Sequence, residues 1–312
     1  MIQEIYWQVA PCCDGMTLRD FLRSKRVSAG LRAAVKRNGG FLRDGRLICA
    51  HERIAAGQKI VMPLCEEQES HVTPQNIPLD ICYESPHVMV LNKPAGMTIH
   101  PTLGFAHDTL ANAFCGEMER RGEKRLFRPL NRLDRETSGL VVCAMHGYAA
   151  AWLTEEVQKI YYAVVQGMPS PPQGDWNQPI RRCEDSIIKR CCADDGKPSL
   201  THYRVLYYEL TKNCALTECR LETGRTHQIR VHASTLGHPL CGDDLYGGST
   251  QYINRVALHC GSVSFREPVT EQRVTVTCPL PPDICELLPN RVQEAVLLDS
   301  QIWKISENGK NA

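Results

Sequence analysis

The densest run of reactive side chains is Leu130-Asn131-Arg132-Leu133-Asp134-Arg135-Glu136-Thr137-Ser138-Gly139, which leads into Leu140-Val141-Val142-Cys143. A charged stretch running straight into an apolar strand holds Asp134 at the edge of a sheet. Thr137, Ser138 and Gly139 supply hydroxyls and a turn that can fix a backbone around a carboxylate. By spacing alone this is a solvated turn with an Arg132, Asp134, Arg135 charge cluster. Three other segments change that reading. Asn92-Lys93-Pro94-Ala95-Gly96-Met97-Thr98-Ile99-His100 ends a strand in a Pro/Gly loop, and Lys159-Ile160-Tyr161-Tyr162-Ala163 sets adjacent aromatics on a strand. Thr223-Gly224-Arg225-Thr226-His227-Gln228-Ile229-Arg230-Val231-His232 ends a strand, opens a helix and carries two Arg and two His. Together these offer one carboxylate, an aromatic platform and several cations, without metal-ligand spacing, a phosphate-cradling glycine loop or a Ser/His/Asp set.

Those groups need a scaffold. Periodicity fits strands to 79–83, 88–91, 160–166, 200–208, 214–221, 256–264 and 273–278, and helices to 108–120, 146–157 and a start near Thr226. The result is a mostly antiparallel, mixed-sheet α+β domain over 79–290, with an ambiguous tail at 291–312. Residues 1–64 form a different unit. Thr17 caps a helix carrying Leu18, Phe21 and Leu22, Ser28 caps a second carrying Leu31, Ala34 and Val35, and three short strands follow Gly39-Gly40. Residues 65–78, acidic and then proline-bearing, read as a linker.

A length of 312 residues fits two domains, and 43% hydrophobic with 23% charged residues argues against disorder. No apolar run approaches the roughly 18 residues of a membrane span. The N-terminus has no basic stretch followed by an apolar one, which makes the cytoplasm the expected address. The 16 cysteines, without finger or ribbon spacing, read as reduced thiols. The net charge of +1 conceals an asymmetry: residues 1–64 hold eleven Lys/Arg against five Asp/Glu, a net of +6, which leaves −5 for the rest. Arg32, Lys36 and Arg37 cluster on or beside the second helix, as expected of a basic module that touches phosphates.

On these segments the chain resembles the RluA-type RNA pseudouridine synthases, whose signature H-R-L-D-x-x-T-S-G is matched by Asn131 to Gly139. The N-K-P-A-G loop, the K-x-Y-x-A strand, Gly196-Lys197 with Thr201 and Tyr203, the T-G-R-T-H-Q-I-R-V-H run, and Leu236-Gly237-His238-Pro239-Leu240-Cys241-Gly242-Asp243 before Tyr246-Gly247 follow in the family's order. Residues 1–64 resemble the small αL RNA-binding module first named for ribosomal protein S-four. The resemblance implies an isomerase of uridines in RNA that needs no cofactor or metal; the chain is expected to act as a monomer, on ribosomal RNA in preference to transfer RNA, although the signature itself does not decide between them. It makes Asp134 the essential carboxylate, Tyr161 the active-site tyrosine and Arg225 the basic partner of Asp134. Arg132 would help displace the base or bind phosphate, and Lys93, His227, Gln228 and Arg230 would support the pocket. Asn131 replaces the family's histidine, a departure expected to bear on a loop or RNA contact more than on chemistry. The alternative is a catalytically silent RNA-binding or ribosome-assembly factor on the same scaffold.

Overall fold

The computed structural model describes residues 4–64 and 70–289. The acidic start of the linker and the tail beyond 289 lie outside the described residues. The first region comprises β1 (Glu4–Gln8), α1 (Leu18–Ser24), α2 (Ala29–Arg37), β2 (Phe41–Arg43), β3 (Arg46–Ile48) and β4 (Lys59–Pro63), its strands ordered β1-β4-β2-β3. The Thr17 and Ser28 hydroxyls accept from the backbone N–H groups of Asp20 and Leu31, satisfying helix donors that otherwise lack partners. Asp44 and Gly45, both at positive φ, form the two-residue loop joining β2 to β3. The periodicity reading missed β1, five residues in which Ile5 and Trp7 point inward between exposed neighbours.

The second region contains β5 (Ile81–Glu84), β6 (Val88–Lys93), α3 (Leu110–Arg120), β7 (Ser138–Ala144), α4 (Gly147–Leu153), β8 (Gln158–Gln166) and β9 (Gln173–Trp176). It continues through β10 (Ile180–Arg182), β11 (Arg190–Cys192), β12 (Thr201–Glu209), β13 (Cys214–Leu221), α5 (Gln228–Thr235), β14 (Leu258–Arg266), β15 (Arg273–Thr277) and α6 (Pro282–Cys285). One large sheet runs β5-β6-β7-β14-β8-β13-β12-β9, with β15 paired to β14, while β10 and β11 form a separate hairpin. Only the β7–β14 pairing of this sheet is parallel among the described residues. The α+β, mostly antiparallel class read from the pattern is the observed one. The helix expected over 146–157 ends at Leu153, because Gln158 and Lys159 already pair with β14.

Two close approaches shape the sheet around the signature segment. Gly139 lies opposite Cys260 in the parallel pair, at φ +112, and a Cβ there would sit 2.3 Å from the Cys260 carbonyl oxygen. Only glycine fits both the dihedral and the gap. On β8, alternation sends Tyr161 into the larger core and Tyr162 into a smaller one on the opposite face.

The two regions share one continuous core. Trp7 meets Tyr148 of α4 edge-on at 5.7 Å, and the Tyr148 hydroxyl lies 3.0 Å from the Lys25 carbonyl oxygen. Lys25 pairs with Glu271 and Arg26 with Glu156, each at 2.7 Å. The described part of the linker is bonded rather than slack. Gln75 donates its backbone N–H to the Asn112 carbonyl, the Asn112 side chain donates to Thr73, and a Cβ at Gly116 would meet the Gln75 carbonyl at 2.0 Å.

Candidate active site

Asp134 sits in the turn before β7, where its carbonyl accepts from the Thr137 N–H at 3.1 Å, and its side chain is 28% exposed. It faces a hollow of about 360 Å³ that Arg132, Tyr161, Arg225, His227 and Arg230 also line. Arg230 Nη1 donates to Asp134 Oδ2 at 3.1 Å, and its Nε and Nη2 grip the buried Asp243 at 2.7 and 2.8 Å. Burial works against the Arg230 charge, but the bonds to Asp243 and the two carboxylate charges outweigh it and raise its pKa. His227 Nε2 lies 3.7 Å from the same Oδ2. Both contacts therefore fall on one oxygen, and Asp134 Oδ1 has no protein partner among the described residues.

This corrects one expectation. Arg225 does not pair with Asp134: its Nε donates to the Pro198 carbonyl at 3.2 Å and it stands exposed at the rim. Arg225 precedes α5, whereas Arg230 lies within it and His227 sits three residues earlier at its N-cap, so one helix turn presents both groups. That spacing was the available signal. Asp243 and Tyr246, quoted within their motif but given no role, are the other contributors missed. Tyr246 sets its ring 5.1 Å from the Arg230 guanidinium.

The supporting residues act through the backbone. Gln228 accepts from the Arg225 N–H and the Thr223 hydroxyl and donates to Leu200 and Thr201, which shapes the turn into α5. Lys93, fully buried at the end of β6, points its Nζ at the carbonyls of Pro94 and Met97 at 2.7 Å and of Arg135 at 3.1 Å. Burial pulls its pKa down to about 7, with the Arg255 charge adding to that pull and the Glu136 and Asp134 charges opposing it. Lys93 thus ties the N-K-P-A-G loop to the Asp134 turn without itself lining the hollow.

Asn131 lies in the loop before β7 and ties that loop to the strand. It is buried, donates to the Leu140 carbonyl at 3.0 Å and accepts from the Val142 N–H at 2.9 Å. Tyr161 is buried, with Asn131 and Cys260 beside its hydroxyl, and burial pushes its ionisation well above the ordinary range. Arg132 is exposed at the rim. Arg32, Lys36 and Arg37 do not line this hollow, and the Arg32 guanidinium is bonded to the Val27 carbonyl, which leaves Lys36 and Arg37 as the exposed cations of α2. Among the described residues, no group of three or more His, Cys, Asp or Glu is placed to hold a metal ion. No helix of the described residues is long and apolar enough to cross a membrane.

Comparison with known proteins places the chain in a class. Residues 87–235 match the family described as RNA pseudouridylate synthase. The uncharacterized RNA pseudouridine synthase YjbO of Bacillus subtilis (strain 168) is 36% identical over 282 residues, 88% of this chain and 98% of that protein. Ribosomal large subunit pseudouridine synthase D of Xylella fastidiosa is 34% identical over 287 residues, 86% of each chain. Among solved structures, human RNA Pseudouridylate Synthase Domain Containing 1 superposes with a TM-score of 0.54 at 28% identity, covering 67% of this chain and 87% of that one. The chain belongs to the RluA-type RNA pseudouridine synthases, a family of isomerases.

Proposed function

We propose that this chain converts uridines of structured RNA, ribosomal RNA in the first place, to pseudouridine at the hollow around Asp134. The target base leaves its stack, at a cost of a few kcal/mol, and enters the hollow beside Tyr161. Base-on-aromatic contact returns about 1–3 kcal/mol of that cost. The C1′–N1 bond then breaks, the base turns, C1′ bonds to C5, the C5 proton leaves and N1 takes one up, so no atom is gained or lost. Asp134 supplies the carboxylate for this rearrangement. The observation that carries the reading is its asymmetry: Oδ2 is bound to Arg230 while Oδ1 has no protein partner among the described residues, beside a hollow lined by an aromatic ring.

Arg132 and Arg225 at the rim reach phosphates flanking the flipped nucleotide, and Lys36 and Arg37 of the first region add sequence-independent contacts. The ribosomal substrate rests on the names of relatives such as synthase D of Xylella fastidiosa and Pseudomonas aeruginosa. The test is Asp134→Asn, assayed by mapping pseudouridines in total RNA from cells that lack the gene, after incubation with the purified chain. The variant is expected to fold and bind RNA yet form no pseudouridine. Turnover at the wild-type rate would refute the assignment, and sites confined to transfer RNA would overturn the ribosomal preference.

A further inference from the structure

A tyrosine and a histidine stand behind the Asp134 carboxylate in an order that fixes a proton. The Tyr246 hydroxyl accepts from the Arg190 backbone N–H at 2.9 Å and lies 2.8 Å from His227 Nδ1. Burial pushes the phenol pKa up to about 12, so the hydroxyl keeps its single proton at neutral pH. With the backbone N–H already donated to its oxygen, Nδ1 is the acceptor left for that proton among the described contacts. The neutral imidazole must then carry its own proton on Nε2, the nitrogen 3.7 Å from Asp134 Oδ2. Burial holds the ring towards this neutral form and Asp134 pulls the other way, with Arg230, Asp243 and Arg190 as the remaining charges around it. His227 also sits at φ +57, a left-handed conformation that a side chain other than glycine adopts only when its surroundings demand it.

We propose that His227, with its tautomer set by Tyr246, is a positioning residue for the reaction: its Nε2–H and Arg230 together hold Oδ2 so that Oδ1 of Asp134 faces the uridine. The gap of 3.7 Å closes to a hydrogen bond when RNA fills the hollow and displaces water. The Arg190 link places one end of this chain on the β10–β11 hairpin, so the position of that hairpin is felt at the carboxylate. The inference rests on the assignment of Asp134 as the catalytic carboxylate.

The experiment has a spectroscopic and a kinetic arm, both on the full chain. Long-range proton–nitrogen NMR of ¹⁵N-histidine protein, with the His227 signals assigned by their loss in His227→Gln, should report the Nε2-protonated tautomer in the wild type and a mixture in Tyr246→Phe. Single-turnover pseudouridine formation on total RNA from gene-deleted cells should fall about 10- to 100-fold at saturating enzyme in His227→Ala, the worth of one hydrogen bond to a charged group. The half-saturating enzyme concentration should stay unchanged. His227→Gln, whose side-chain amide can present an N–H near the Nε2 position, should recover most of that rate. An Nδ1-protonated ring, equal losses in His227→Ala and His227→Gln, an effect confined to half-saturation, or no loss would each overturn the proposal. Should His227→Ala fail to fold, Tyr246→Phe decides, with a loss of about tenfold expected and an unchanged rate and tautomer overturning it. Inactive Asp134→Asn alongside fully active His227→Ala would sink this inference alone, whereas active Asp134→Asn would sink the assignment beneath it.

Discussion

Around His227 and around His146 the chain builds two clusters from the same parts, a histidine, a tyrosine and nearby arginines. His146 caps α4 by accepting from the Ala149 N–H at Nδ1, so its Nε2–H goes to His87 Nδ1, 2.9 Å away. Its ring stacks on Tyr148, whose hydroxyl meets the Lys25 and Pro268 carbonyls beneath the first region. Each of these contacts ends inside the protein. The cluster around His227 is bonded as tightly on its inner side, where Asp243 is fully buried against Arg230, but its outer carboxylate lines the hollow and keeps one oxygen without a protein partner among the described residues. Reactive residue types therefore mark a site only where the network stops short of closing.

The sharpest way to break this contrast is Arg230→Ala. Removing a cation that serves two carboxylates, one of them buried, should destabilise the fold by about 3–5 kcal/mol. It should also lower turnover by about 10²-fold or more, as loss of one preorganised donor does. Thermal unfolding and single-turnover assays together check this, and Arg225→Ala, at the rim, should change the rate by less than about fivefold.

Acid tests the sealed network and another buried histidine, His259, bonded to Ser138 and Cys278. Burial lowers the pKa of His146 to about 3 and of His259 to about 4, with His87, Arg125 and Arg128 adding to the effect at His146 and Arg255 at His259. The unfolded chain takes up these protons near pH 6.5 and the folded chain does not. Stability must therefore fall as pH drops from about 6.5 towards 4, by about 1.4 kcal/mol per pH unit for each histidine. Denaturant unfolding across that range should show a shallower slope in His146→Asn, and an unchanged slope would contradict the assignment of these histidines as neutral.

Tyr148→Phe should lower stability by about 1 kcal/mol, since the hydroxyl and its hydrogen bonds are removed. Turnover should be unaltered, so a loss of activity would show the sealed cluster reaching the site. The smallest effect is expected from Lys36→Ala with Arg37→Ala. RNA affinity should weaken and its salt dependence become less steep by about one unit for each phosphate that is no longer neutralised, with the saturated rate unchanged. These point variants are sharper than removal of residues 1–64, because Trp7 belongs to a core shared by both regions.

Helix caps and strand alternation were legible because they are local: Thr17, Ser28 and the paired Tyr161 and Tyr162 state their roles within a few positions. The carboxylate and its hollow were legible from ordered motifs. The partner of Asp134 was not, since Arg225 and Arg230 are alike in type and only the start of α5 separates them. Asp243 gained its role from a contact 13 residues away in sequence that spacing does not announce. The hairpin of β10 and β11 escaped notice for another reason: Ile180-Arg181-Arg182 and Arg190-Cys191-Cys192 carry too little apolar pattern to announce strands.

Gly139 carries a consequence for catalytic distance. Asp134 hangs from the start of β7, and Tyr161 stands on β8, the strand paired with the other side of β14. The missing side chain at Gly139 lets β7 and β14 close, so hydrogen takes the place of a methyl group as the spacer between carboxylate and phenol. A methyl group there would force β7 away from β14 without touching a reactive atom, setting the right residues at the wrong gauge.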